Sequence, residues 1–239
     1  MIRVDSLSKT YKSVKVLDIE RLEIPQGQSF GLVGNNGAGK TTLFRLLLDL
    51  IKADEGQVLS NEVAVDKDSQ WKKYTGSFLD EGFLIDFLKP EEYFEFIADI
   101  NGVTKEELKA AYEDFADFFG GEILNTSKYL RDFSKGNQKK IGIFGAIISQ
   151  PEVLILDEPF ANLDPSSQIR LKTLLKELHQ KSKISMLISS HDLNHIAEVS
   201  ERIVVLERGQ VVKDLLTTEN TIGELEDYFN PDAAVETEG

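Results

Sequence analysis

The chain of 239 residues has no cysteine, which excludes disulfide bonds, thiolate nucleophiles and sulfur-ligated metal sites and fits a reducing compartment. Positive charge is in deficit. Against 41 Asp and Glu there are 27 Lys and Arg, and the formal net charge of -14 makes a field that repels nucleic-acid phosphates and anionic lipid headgroups. No nucleic-acid partner is expected. Met1 to Tyr11 lacks the basic and then apolar run of a signal peptide, and nowhere do about 18 apolar residues follow one another. The expectation is a chain that neither spans nor crosses a membrane by itself. Internal repeats, low-complexity tracts and Ser/Gly linkers are also missing. What is there is an ordinary globular balance, 41% hydrophobic and 28% charged residues, enough for one large α/β domain with an inserted lobe. Part of the acidity sits in Glu219 to Gly239, which reads as a solvated tail.

Ile2 to Val4, Leu22 to Ile24 and Ser29 to Val33 read as short strands, separated by a Lys/Ser stretch and by Pro25-Gln26-Gly27. A glycine-rich segment, Gly34 to Gly39, follows. Thr41 to Leu50 then brings Leu43, Leu46, Leu47 and Leu50 onto one helical face. From Glu91 to Phe119 the pattern stays helical, with Tyr93, Phe94, Ile97 and Ile100 at helical spacing and a new start at Thr104, where Glu107 completes a capping box. Val153 to Leu156 is an apolar run of the kind buried on both faces of a parallel sheet. Helices are expected near Ser166 to Gln180 and Leu193 to Val199, a strand at Met186 to Ser189, and a hairpin of Ile203 to Leu206 with Gln210 to Lys213 around Gly209. Gly82 to Gln150 therefore looks like a helical insertion between strands.

Gly34-Asn35-Asn36-Gly37-Ala38-Gly39-Lys40-Thr41 fits G-x-x-x-x-G-K-T between an apolar strand and a helix. Its glycines let successive backbone N–H groups point inward at phosphate oxygens, Lys40 adds a mobile positive charge, and the Thr41 hydroxyl can ligate Mg²⁺. The bland alternative is a tight turn capping a helix. A metal on the phosphates also needs a carboxylate, and an attacking water needs a base; Asp157 and Glu158, at the end of an apolar strand, supply them. His191, after Ile188-Ser189-Ser190, stands where it can hold that water. His179 and His195 fall in predicted helices and are left out.

These residues resemble the nucleotide-binding domains of ABC transporters from Met1 to about Lys213. Ser134-Lys135-Gly136-Asn137-Gln138 takes the place of the family's L-S-G-G-Q signature, Ala161-Asn162-Leu163-Asp164 that of its D-loop, His191 that of its switch histidine and Tyr11 that of its adenine-stacking aromatic. The resemblance implies an α/β fold of the P-loop NTPase, RecA-like class: a mostly parallel sheet core, an N-terminal antiparallel β subdomain and an inserted α-helical subdomain. Residues 1–81 and 151–218 would form the core with its β subdomain, 82–150 the helical signature subdomain and 219–239 an acidic C-terminal segment. It implies ATP and Mg²⁺ as cofactors. Gly34 to Thr41 with Thr42, Tyr11 and Asp80 would contact nucleotide, as would Ser134, Gly136 and Asn137 of the signature; Glu158 and His191 would be catalytic, and Thr41, Asp157 and Asp80 would face the metal.

Two departures stand out. The signature carries Lys135 where glycine is usual and Asn137 where glutamine is usual, a variant that looks like the drug, lipid or polysaccharide exporters of the ABC-2 type. Asp80 stands where the family has the glutamine of its Q-loop; either a carboxylate there still binds Mg²⁺, or the loop tolerates change. The resemblance further implies a homodimer, or a pair with a paralogous domain, closed around two ATP. It implies a separately encoded integral membrane permease as the only route of membrane contact, with this chain cytoplasmic and peripheral on the cytoplasmic face of the membrane. Phe83, Leu84 and Phe87 would line the groove for that permease or pack inside the helical lobe. A soluble ABC-type ATPase without a transport role, such as a metal-cluster assembly accessory, is the alternative.

Overall fold

The computed structural model describes residues 1–229. The chain opens with a long antiparallel ribbon, β1 (Ile2–Tyr11) and β2 (Val14–Ile24), registered from Ile2 opposite Ile24 to Tyr11 opposite Val14. Lys12 and Ser13 form the turn with φ of 45° and 69°, the left-handed geometry that matches the twist of a two-residue hairpin. The sequence predicts two shorter strands with a loop between them. The Lys/Ser stretch hides the pairing because it is exposed at the hairpin end and shows no alternation of apolar residues.

β3 (Ser29–Val33) is buried at all five positions and leads through the glycine-rich segment into α1 (Lys40–Leu47). α1 ends before Leu50, which is 49% exposed and does not share the buried face expected of it. β4 (Glu55–Ser60) and β5 (Val63–Ala64) return to the ribbon, giving a four-stranded sheet of order β2-β1-β4-β5. β6 (Thr75–Phe78) belongs to the second sheet. The helical insertion follows with α2 (Pro90–Asn101), α3 (Lys105–Asp114), α4 (Ala116–Phe119) and α5 (Lys135–Ile147). The rest alternates: β7 (Val153–Leu156), α6 (Pro165–Ser182), β8 (Ser185–Ser190), α7 (Leu193–Val199), β9 (Arg202–Glu207), β10 (Gln210–Leu216) and α8 (Thr221–Phe229). The second sheet runs β10-β9-β3-β8-β7-β6, parallel except for β10. Its central strands are buried along their whole length, as a sheet covered on both faces requires.

Two apolar cores lie on the two sides of this sheet. One joins the antiparallel ribbon to α1, and the other joins the helical insertion to α6, α7 and α8. Phe144 of α5 sits at the centre of the insertion, with the rings of Phe94, Phe115 and Phe119 at 4.6, 4.8 and 5.0 Å. Thr104 caps α3 in the box expected with Glu107. Ile100, on the other side of α2, is 65% exposed and does not join Tyr93 and Phe94 in the core. The chain after residue 218 departs from the expected solvated tail. α8 buries Leu225 against the main core, because Thr221, Leu225 and Tyr228 share a helical face; residues 230–239 lie outside the described residues. Among the described residues no helix is long and apolar enough to cross a membrane.

Candidate functional site

The parallel register sets the site. Val33 is opposite Ser190 and Leu156 opposite Ile188, so the carboxyl ends of β3, β7 and β8 deliver Gly34, Asp157 and His191 to one edge. Ligands of open α/β sheets bind at that edge. The turn from β3 into α1 requires glycine at specific points. A Cβ on Gly34 would lie 2.3 Å from the Leu206 carbonyl oxygen, and Gly39, at the helix start, has φ of 110°. No side chain caps α1 and no acid sits in its first turn, so its leading amides and positive dipole end face the cleft without competition.

The cleft holds about 300 Å³ and is lined by residues 35–42 with Val16 and Glu158. Lys40 is buried; its Nζ donates to the Gly34 carbonyl at 2.6 Å and lies 3.4 Å from Glu158 Oε1. Thr41 Oγ1 donates to Asp157 Oδ2 at 2.5 Å, and Asp157 also accepts from Ser189 Oγ. Burial raises the Asp157 carboxyl above its ordinary pKa, opposed by the hydrogen bonds from Ser189 and Thr41. Glu158 adopts φ of 48°, uncommon for a residue with a side chain. Its N–H donates to Ser189 Oγ at 2.9 Å, and its carboxylate accepts from His191 Nδ1 at 2.9 Å.

This donor set fits ATP with Mg²⁺. Thr41 and Asp157 bring two hard oxygens together at the mouth of an amide-lined loop. No group of three or more His, Asp or Glu suited to a metal occurs among the described residues. Mg²⁺ takes one or two protein oxygens and fills its octahedron with phosphate oxygens and water, so a two-oxygen corner beside an amide cradle is the right size.

The structure thus brings together residues 34–42, Asp157, Glu158 and His191. Tyr11, 44% exposed at the end of β1 with Lys9 Nζ 5.6 Å from its ring centre, does not line the cleft. Asp80 caps the turn Glu81–Phe83 through Gly82 N–H at 2.7 Å, with Arg45 at 3.9 Å, and shares no hydrogen bond with Thr41 or Asp157. Ser134 caps α5 by accepting from Asn137 N–H at 3.2 Å, and the Asn137 side chain donates to Glu122 at 2.9 Å. Gly136 backs onto the Asn162 carbonyl. Sequence reasoning missed two contributors. Ser189 is one of two adjacent serines at the end of β8, and Lys139 sits in an ordinary-looking Lys-Lys pair, yet its buried Nζ donates to the Glu158 carbonyl at 2.7 Å.

The family model described as ABC transporter matches residues 17–161, more than half of the chain. The chain belongs to the ABC transporter family. This ABC ATP-binding protein is 35% identical over 212 residues to the uncharacterized ABC transporter ATP-binding protein YhaQ of Bacillus subtilis, covering 89% of this chain and 70% of that one. It is 30% identical over 228 residues to the methionine import ATP-binding protein MetN of Carboxydothermus hydrogenoformans, covering 92% of this chain and 67% of that one. Its fold superposes with a TM-score of 0.81 on the dimeric post-hydrolysis structure of the ATP-binding cassette MJ0796 bound to ADP and Pi, at 23% identity over 91% of this chain and 99% of that one. A second model, described as an AAA domain, putative AbiEii toxin, Type IV TA system, matches residues 128–197.

Proposed function

We propose that this ABC ATP-binding protein hydrolyses ATP at the cleft between residues 34–42 and Glu158, and that it does so as one half of a dimer that drives export through separate membrane subunits. The observation that carries the ATPase reading is Glu158, whose carboxylate projects into the amide-lined cleft between Lys40 and His191. The triphosphate lies along the amides of residues 34–41, with Lys40 offsetting its charge. Thr41 and Asp157 would hold Mg²⁺, which would supply positive charge to offset that of the phosphates. Glu158 accepts the proton of the water that attacks the γ-phosphorus, ADP leaves, and His191 keeps the glutamate oriented.

The dimer reading is supported by the position of Ser134, Gly136 and Asn137, outside the cleft of their own chain and therefore free to close over a second copy's nucleotide. Asp80 and Tyr11 are proposed to join the site when it closes. Export is supported by Lys135 in the signature; the permease is proposed to dock beside Phe83 and Phe87, 53% and 62% exposed, with the protein on the cytoplasmic face of the membrane. The test is phosphate release from Mg²⁺-ATP by the purified chain, together with copurification of a multi-span membrane protein. Turnover without such a partner favours the soluble ATPase; absence of turnover from the isolated and the partnered chain refutes the reading.

A further inference from the structure

Glu158 is held at every polar atom of its backbone and at its carboxylate. Its N–H orientation is set by φ and is fixed by Ser189 Oγ at 2.9 Å. Its carbonyl orientation is set by ψ and is fixed by Lys139 Nζ at 2.7 Å, with the Ala161 N–H closing a turn onto the same oxygen at 3.2 Å. The residue needs this restraint because its φ of 48° is a sparsely populated conformation that persists only where the surroundings over-determine it. Lys139 comes from α5, on the helical insertion, and not from the sheet that carries Glu158. Its ammonium is nearly buried, and Glu81 Oε1 lies 3.8 Å away. Glu81 opens the short turn that ends at the exposed Phe83.

We infer that Lys139 is a positioning residue for hydrolysis: its ammonium, held by Glu81, clamps the Glu158 peptide so that the carboxylate keeps its aim at the attacking water. The inference rests on the proposed role of Glu158 as base. Burial lowers the pKa of Lys139, and the Glu81 carboxylate is the strongest of the charges that oppose that fall. A side chain at 139 that cannot donate leaves the Glu158 carbonyl with the Ala161 turn alone, which lets ψ relax and swings the carboxylate. Misplacement of a catalytic group by about 1 Å costs up to roughly a hundredfold in rate without removing a contact to substrate.

The experiment compares the full chain with Lys139→Met, Lys139→Arg, Glu81→Gln and Glu158→Gln, reading kcat, KM, affinity for a fluorescent ATP analogue and melting temperature. Lys139→Met is expected to lower kcat by about tenfold or more while KM and nucleotide affinity stay within about twofold. Lys139→Arg, which can still donate to the carbonyl and pair with Glu81, restores most of the rate. Glu81→Gln lies between Lys139→Met and the parent. In the Glu158→Gln background the Lys139→Met change adds no further loss, because a residue that acts through another shows nothing once the other is gone. The inference is overturned by an unchanged kcat in Lys139→Met, by equal losses of affinity and melting temperature, or by additive effects in the double variant. If Lys139→Met fails to fold, parent-like turnover of Glu81→Gln overturns it instead. A parent chain that neither binds nor hydrolyses ATP sinks the underlying ATPase reading, and this inference with it, without any reference to position 139.

Discussion

Glu158 and Asp157 are neighbours with different surroundings, and the roles proposed for them follow that difference. Asp157 is buried, with both carboxylate oxygens engaged by Thr41 and Ser189, a geometry for fixing a metal. Glu158 reaches the cleft, where among the described residues His191 and Lys40 are the polar partners of its carboxylate, a geometry that suits meeting water. Replacing Glu158 by Gln keeps the shape and removes the proton acceptor. Turnover of Glu158→Gln should therefore fall by about two or more orders of magnitude while ATP affinity stays near that of the parent, in a phosphate-release assay run beside a fluorescent-ATP titration. Near-normal turnover contradicts the assignment. The Asp-Glu pair was legible because two acids end an apolar run, whereas Ser189, which also follows one, is a common small polar residue beside Ser190 and carries no pattern of its own.

At the scale of elements, the contact that matters is α5 against β6. A Cβ on Gly142 of α5 would sit 2.0 Å from the ring of Phe78, and one on Gly76 of β6 would sit 1.9 Å from the Ala146 carbonyl oxygen, so each element offers a glycine to the other. This close approach lets Lys139 reach Glu158 from the insertion. Gly142→Ala gains about 1 kcal/mol of helix propensity but forces a buried aromatic ring to move, at roughly 1–3 kcal/mol. The clash wins, and the melting temperature should drop. Gly223 in α8 is the control, since a Cβ there meets nothing within 4 Å; Gly223→Ala should raise the melting temperature slightly. Thermal unfolding of the two variants with equal shifts would show that packing against Phe78 is not the deciding factor. Capping at Thr104 was legible from four residues of sequence, while the glycine contact joins positions 64 residues or more apart in the chain and leaves no local mark.

For the whole molecule, the cleft is lined by Lys40 and Glu158 and not by Ser134 or Gly136, which the proposed dimer would set over the nucleotide of a second copy. A ligand that bridges two such halves shifts the population toward the pair by the difference in its affinity for the two states. With hydrolysis blocked by Glu158→Gln, Mg²⁺-ATP should move the chain from monomer to dimer in size-exclusion chromatography with light scattering, and ADP should not. A monomer at saturating ATP would remove the basis for placing Ser134 across an interface. The acidic net charge of -14 makes any such pairing salt-sensitive, because two like-charged copies approach more readily when screened.

The sequence by itself determined the loop of residues 34–41, the acids at the end of β7, His191 and the alternation of strand and helix behind them. Each of these is written in contiguous residues whose spacing matches a local geometry. Tertiary structure alone decided that α8 packs on the core, that β1 and β2 form one long ribbon, that Asp80 caps a turn away from Thr41, and that Lys139 reaches the Glu158 carbonyl. For α8 and Lys139 the physical reason is a partner supplied by a distant part of the chain, which covers an apolar face or satisfies a polar group and which no periodicity within a segment encodes. For Asp80 and the ribbon the partner is near in sequence, Gly82 N–H two residues on and Val14 opposite Tyr11, but an exposed polar turn carries no apolar pattern from which the pairing could be read.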